Sequence, residues 1–81
     1  MYGDRMKNRR IRLGLHLRRT VTQGEVAAGI NETRAANGND KTVDTGFISR
    51  AEKHGCNKSL CDEAMAALDV IEALSKMAVV G

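Results

Sequence analysis

The sequence predicts an all-α domain of four or five short helices, and three observations carry that expectation. The chain of 81 residues has no Pro, one Phe, one Tyr and no Trp, so its core must be filled by Val, Ile, Leu, Met and Ala. A core of that kind suits a single domain over residues 1–81 and is too small for a buried enzyme cleft with a lid. Apolar residues recur at helical spacing near both ends. In the middle, two helix-start signals, one at Thr22 and one at Asp44 or Thr45, are each followed by an apolar face and a glycine stop.

The first helix is carried by Tyr2, Met6, Arg10, Leu13 and Leu17, spaced i, i+4, i+8, i+11 and i+15, with Asp4, Arg5, Lys7, Asn8, Arg9 and Arg12 on the outer face. Ile11, Leu13, Leu15 and Leu17 also alternate as a strand would. Helix is preferred because Arg, Lys, Met and Leu are good helix formers and no second strand of comparable quality exists to pair with this one. Gly14 marks the end of this helix or a kink in it, which leaves residues 16–21 as an extension or a connecting loop.

Thr22-Gln23-Gly24-Glu25 reads as a capping box, in which the Thr hydroxyl accepts from the Glu25 N–H and the Glu25 carboxylate accepts from the Thr22 N–H. Val26, Ala27 and Ile30 supply the apolar side. The predicted second helix is short, about residues 23–28, and stops at Gly29. Residues 31–42, NETRAANGNDKT, contain two apolar members, both Ala, and are expected to form a mobile loop. If ordered, that loop sets Arg34 and Lys41 against a phosphate backbone; otherwise it is a solvated insertion.

Residues 43–55, VDTGFISRAEKHG, form the stretch that the rest of the chain serves. Asp44 or Thr45 caps a short helix, Phe47, Ile48 and Ala51 fall on its inner face, and Gly55 suits the position just past its end. Thr45, Gly46, Ser49, Arg50 and Lys53 are left facing water. Small residues at a helix N-terminus with Arg and Lys beyond them suit deep entry into a DNA major groove. A final long helix, about residues 59–78, starts at Ser59 with Asp62 or Glu63 in its first turn. Leu60, Ala64, Ala67, Leu68, Ile71, Leu74 and Ala78 form its apolar stripe, and Met65, Val70 and Met77 widen it. Leu60, Met65, Leu68, Ile71, Leu74 and Met77 are therefore assigned to the core or to a dimer contact across a two-fold axis, the alternative being that the Met residues only fill gaps in the core.

Charge is unevenly divided along the chain. Residues 1–58 hold twelve Lys or Arg against six Asp or Glu, a balance of +6; residues 59–81 hold Lys76 against Asp62, Glu63, Asp69 and Glu72, a balance of −3. The division fits a surface for a polyanion followed by a helix for the core or a partner chain, and fits equally a solvated charged face. The scarcity of aromatic residues disfavours stacking on unpaired bases. No run of about 18 apolar residues and no charged-then-apolar leader is found, so no membrane contact and a cytoplasmic location are expected. Cys56 and Cys61 are expected to be reduced thiols. With His54 they supply three local ligands, while His16 is distant, so no metal is expected.

Several motifs, taken in order, resemble the Cro and repressor type of helix-turn-helix domain, the XRE family. Met6, Arg10, Leu13, Gly14 and Leu15 in RMKNRRIRLGL look like its first helix. Thr22-Gln23-x-Glu25-Val26-Ala27 is similar to its second-helix Thr-Gln-x-Glu-Leu-Ala, and Ile48-Ser49-Arg50-x-Glu52 with Gly55 to its Ile-Ser-x-x-Glu-x-Gly. The resemblance implies a lambda-repressor-like fold in which Arg10 and Glu52 form a structural ion pair. It implies that Thr45, Gly46, Ser49 and Arg50 face base edges, and that Thr22, Gln23, Lys53 and Lys58 lie near phosphates, with Gln23 also bracing the start of the recognition helix. Two departures stand out. HLRRTV separates Leu-Gly-Leu from Thr-Gln, and about twelve residues beyond the usual turn separate the second and third helices. The added Arg18, Arg19, Arg34 and Lys41 then widen the phosphate footprint.

The function expected from these readings is a sequence-specific regulator that binds double-stranded DNA as a homodimer on an inverted repeat and represses transcription. The resemblance associates such proteins with bacteria, phages and mobile elements, which places this one in a bacterial or phage-infected host cell. A rival reading is an antitoxin-like module that covers another protein with its apolar C-terminal helix. No nucleophile–base–acid set, paired catalytic carboxylates or phosphate-cradling glycine loop is legible, so neither an enzyme, a cofactor nor a small-molecule substrate is expected.

Overall fold

The computed structural model describes residues 2–78, with Ala78 by its backbone alone. Among the described residues there are four α-helices and no strand: α1 Tyr2–Leu17, α2 Gln23–Ala36, α3 Thr45–His54 and α4 Lys58–Ala78. In α1 the helical stripe wins over the alternating pattern. Met6 and Leu13 are buried, while Ile11 and Leu15 face solvent. The helix passes through Gly14 and ends at Leu17, where Arg18 takes a left-handed φ of 57° and the Arg19 N–H donates to the Gly14 carbonyl at 3.0 Å. Gly14 therefore does not end the helix, and the connection to α2 is only residues 18–22.

The capping box of α2 is formed from both sides: the Glu25 N–H donates to Thr22 Oγ1 at 3.1 Å and the Thr22 N–H donates to Glu25 Oε2 at 2.8 Å. Its other end corrects the sequence reading, since α2 runs past Gly29 to Ala36. Gly29 faces α4, where a Cβ would stand 2.8 Å from the Cβ of Ala67. The glycine thus allows two helices to approach closely and is not a stop. Ile30 is fully buried beyond it, and Arg34 reaches Glu63 of α4. Tertiary contacts of this kind offset the low helix propensity of Gly, Asn and Thr in this segment.

The expected loop of residues 31–42 is accordingly replaced by two further turns of helix and a connection over residues 37–44. Asn31 fastens that connection, its side-chain amide donating to the Val43 carbonyl at 2.9 Å and its carbonyl accepting from the Val43 N–H at 2.8 Å. Asp44, not Thr45, caps α3 by accepting from the Phe47 N–H at 2.7 Å. Gly55 closes that helix with φ 97°, a value that favours glycine, its N–H donating to the Ala51 carbonyl. Asn57 caps α4 from two residues earlier than the expected Ser59, accepting from the Leu60 N–H at 2.8 Å.

With 21 residues α4 is about 31 Å long, close to the longest molecular dimension of 36 Å. It packs on α1 and α2, and so does α3, whereas α3 and α4 do not pack directly on one another. The core joins Met6 and Leu13 of α1, Val21, Val26 and Ile30 around α2, Ile48 of α3, and Leu60, Ala64 and Leu68 of α4. Each fully buried aliphatic side chain contributes about 1.5–3 kcal/mol relative to leaving it in water. Two assignments from the sequence need correction. Phe47 is not an inner-face residue but is 42% exposed. The proposed core-or-dimer stripe divides: Leu60 and Leu68 are core, Met65 and Ile71 pack against it, and Leu74 and Met77 are exposed together with Val70. The side chain of Ala78 lies outside the described residues. No described helix is long and apolar enough to cross a membrane.

Candidate nucleic-acid interface

Arg10 is the residue from which the site is built. It projects from the middle of α1 and donates through Nε and Nη2 to the two carboxylate oxygens of Glu52, both at 2.9 Å, and through Nη1 to the Val21 carbonyl at 3.0 Å. Gln23, the first residue of α2, donates its Nε2 to Glu52 Oε1 at 3.0 Å. The Arg10–Glu52 pair therefore ties α1, the α1–α2 connection, the start of α2 and the last turn of α3 together. Burial by itself pushes the Glu52 carboxyl up. The hydrogen bonds from Arg10 and Gln23, with the charges of Arg10 and Lys7, outweigh it and hold the group below the ordinary carboxylate value. A two-toothed guanidinium–carboxylate pair of this kind also fixes direction, so the helices keep one mutual orientation.

With Ile48, Ala51 and Glu52 turned inward, α3 presents Thr45, Gly46, Ser49, Arg50 and Lys53 to solvent. The N-termini of α2 and α3 lie side by side, since a Cβ on Gly24 would stand 3.3 Å from Thr45 Oγ1. The Arg50 guanidinium lies back along its own helix over Gly46, where a Cβ would be 3.4 Å from its terminal nitrogen. Among the described residues, neither Arg50 nor Lys53 is held in a salt bridge. Both cations are available to an external anion.

The uneven charge along the sequence is resolved largely within the fold. Arg9 of α1 meets Asp69 at 3.1 Å and Glu72 at 3.3 Å; Arg34 of α2 meets Glu63 at 2.6 and 2.8 Å; Lys58 meets Asp62 at 3.5 Å. Each acid of α4 thus answers a cation of the basic body or of its own first turn. The Arg34 hydrogen bond, working against burial, holds the Glu63 carboxyl below its ordinary value. This removes Arg34 from the phosphate contacts considered for the 31–42 segment. The cations left without a carboxylate include Lys7, Arg50 and Lys53, and these converge on the α3 side.

The other residues expected at a phosphate backbone are placed unevenly. Thr22 is exposed at the start of α2, with its hydroxyl engaged in the cap. Gln23 is committed to Glu52, so it braces the last turn of α3 and not, as expected, its start. Arg19 pairs with Glu25 at 2.9 Å, and both Arg18 and Arg19 line a groove with Ile11 and Leu15. Lys58 stands at the head of α4. Two side chains on this surface escaped the sequence reading. Lys7, one helical turn before Arg10, shares a groove with Gln23, Ser49 and Lys53 above the Arg10–Glu52 pair, and that i, i+3 spacing was the available signal. Phe47 lines a neighbouring groove with Arg50 and Leu60; its exposure had no local signal.

Cys56 lies at the far side of the groove that Phe47 and Arg50 line. Cys61 is buried, and the half-buried Cys56 thiol lies 3.3 Å from Met6 Sδ, its pKa raised by burial and by the nearby Cys61. No three His, Cys, Asp or Glu side chains converge among the described residues. No family model, no curated protein and no solved structure matches the chain.

Proposed function

We propose that this chain is a sequence-specific, double-stranded-DNA-binding regulator with a lambda-repressor-like helix-turn-helix arrangement, similar to the XRE family, acting as a homodimeric repressor. The observation that carries this reading is the free outer face of α3, with its small N-terminal residues and the unpaired Arg50 and Lys53, locked beside the N-terminus of α2 by Arg10 and Gln23 on the buried Glu52 carboxylate. A rigid helix is what base reading requires, because a bidentate contact from Arg50 to guanine discriminates by about 1–3 kcal/mol only when the guanidinium arrives in register. Lys53, Lys7 and the first turn of α2 supply phosphate contacts that set that register.

Dimerisation draws on the exposed half of α4. Ala66, Val70, Ala73 and Met77 are spaced four, three and four residues apart and all face solvent, with Leu74 beside them. That is the spacing of a two-helix seam. A seam of this kind suits pairing with a second copy across a two-fold axis. The alternative reading, an antitoxin-like module, is favoured by the same exposed Val70, Leu74 and Met77 if the seam accepts another protein.

Selection of bound sequences from a random duplex pool at physiological salt, with light scattering on the complex, tests the proposal. Enrichment of an inverted repeat by a two-subunit species is expected. Arg50→Ala should bind the enriched and scrambled duplexes almost equally while keeping its salt sensitivity. A pool that shows no enrichment, or an Arg50→Ala variant with full discrimination, refutes the DNA reading.

A further inference from the structure

Phe47 is the one large apolar side chain of α3 that the fold leaves substantially exposed. It is 42% exposed and stands outside the apolar cluster to which even the half-buried Val43 and Cys56 belong. It is also placed at the end of α3 where base contact is made, in the third position of the helix, three residues before Arg50 and about 60° from it around the axis. Both side chains line one groove. Gly46, between Thr45 and Phe47, puts no side chain in the way, and the Arg50 guanidinium lies over it.

A phenyl ring has no donor or acceptor, so it cannot distinguish the hydrogen-bonding groups of guanine, adenine or cytosine. The apolar group that a major groove presents is the 5-methyl of thymine. Given the DNA-binding function proposed above, on which this inference rests, we propose that Phe47 reads a thymine methyl next to the guanine read by Arg50. The pair then specifies a thymine–guanine combination in each half-site through two different kinds of contact. A ring on the reading face also explains why the chain leaves its single Phe part-exposed while no Phe enters its core.

The test begins with the duplex enriched by the wild-type protein. Each thymine is replaced in turn by deoxyuridine, which removes the methyl and preserves every hydrogen bond, and the dissociation constant is read by fluorescence anisotropy at fixed salt. One position per half-site, adjoining the guanine whose preference disappears in Arg50→Ala, should weaken by about fourfold, the effect of one buried methyl group. In Phe47→Ala thymine and uracil should bind equally there, with preferences elsewhere in the site retained. Because Phe47 lies outside the core this variant should fold, and the wild-type comparison does not depend on it. An enriched site with no uracil effect at any thymine, or the same thymine-to-uracil ratio in Phe47→Ala, overturns the inference while leaving DNA binding intact. Absence of any enriched duplex overturns both, and assigns the exposed ring to a protein surface.

Discussion

The two sides of the molecule use charge and apolar surface in opposite ways. On the α3 side a carboxylate only 5% exposed sits at the centre, with its hydrogen bonds supplied by Arg10 and Gln23. On the α4 side the ion pairs range from the part-buried Arg34–Glu63 to the largely solvated Lys58–Asp62, and the C-terminal half exposes apolar side chains, Met77 being 72% exposed. Surface pairs of the second kind are worth little and tolerate loss, whereas a buried pair is costly to break because the surviving charge is stranded. The first side is therefore a fixed frame for α3. The second is a face whose apolar stripe lies exposed to solvent.

The sharpest way to break this contrast is Arg10→Ala. Stranding Glu52 should cost about 3–5 kcal/mol and lower the midpoint of thermal unfolding by many degrees, whereas Lys58→Ala should leave it nearly unchanged. Equal losses in the two variants would mean that the α3 side is not specially held.

A smaller effect is expected from acid. The folded-state pKa of Glu52 is lowered, so its contribution to stability is fully present above the ordinary value of 4.5 and is lost as pH falls through the folded value. Glu25 and Glu63 share that sign, for although burial raises Glu25, its hydrogen bonds with Thr22 and Arg19 prevail. Denaturant titrations from pH 6 downward should show wild-type stability falling below about pH 4.5, and Glu52→Gln, already weaker at neutral pH, falling less. Parallel curves for the two proteins would contradict the assignment of that charge.

The smallest effect on stability, and the largest on assembly, belongs to the α4 face. Val70→Glu should leave the unfolding midpoint of the subunit within about 0.5 kcal/mol equivalent yet convert the proposed dimer to a monomer in light scattering. A variant that remains dimeric would move the two-fold contact away from this seam.

Most of the frame could be read locally. The capping box at Thr22, the caps around Asp44 and Gly55, and the helical stripe of Met6 and Leu13 depend on residues a few positions apart, and such contacts leave fixed spacings in the sequence. The all-α architecture follows from them. The Arg10–Glu52 pair joins residues 42 positions apart, and it could be anticipated through the resemblance of the surrounding motifs, not from spacing.

Other features were decided only when the helices packed. Gly29 looks like a stop because its reason, the side chain of Ala67, lies across the α2–α4 contact. The added turns of α2 depend on Glu63 for Arg34 and on Val43 for Asn31. The same packing divided the α4 stripe into a core half and an exposed half, since α1 and α2 cover only part of a helix nearly as long as the molecule. It also turned Phe47 outward, leaving Ile48 and Ala51 to fill the space beneath α3. Local spacing determined where helices begin and which face is apolar, because those choices are made within a turn or two of chain. How far each helix runs, and which apolar residues stay in water, depended on neighbours distant in sequence.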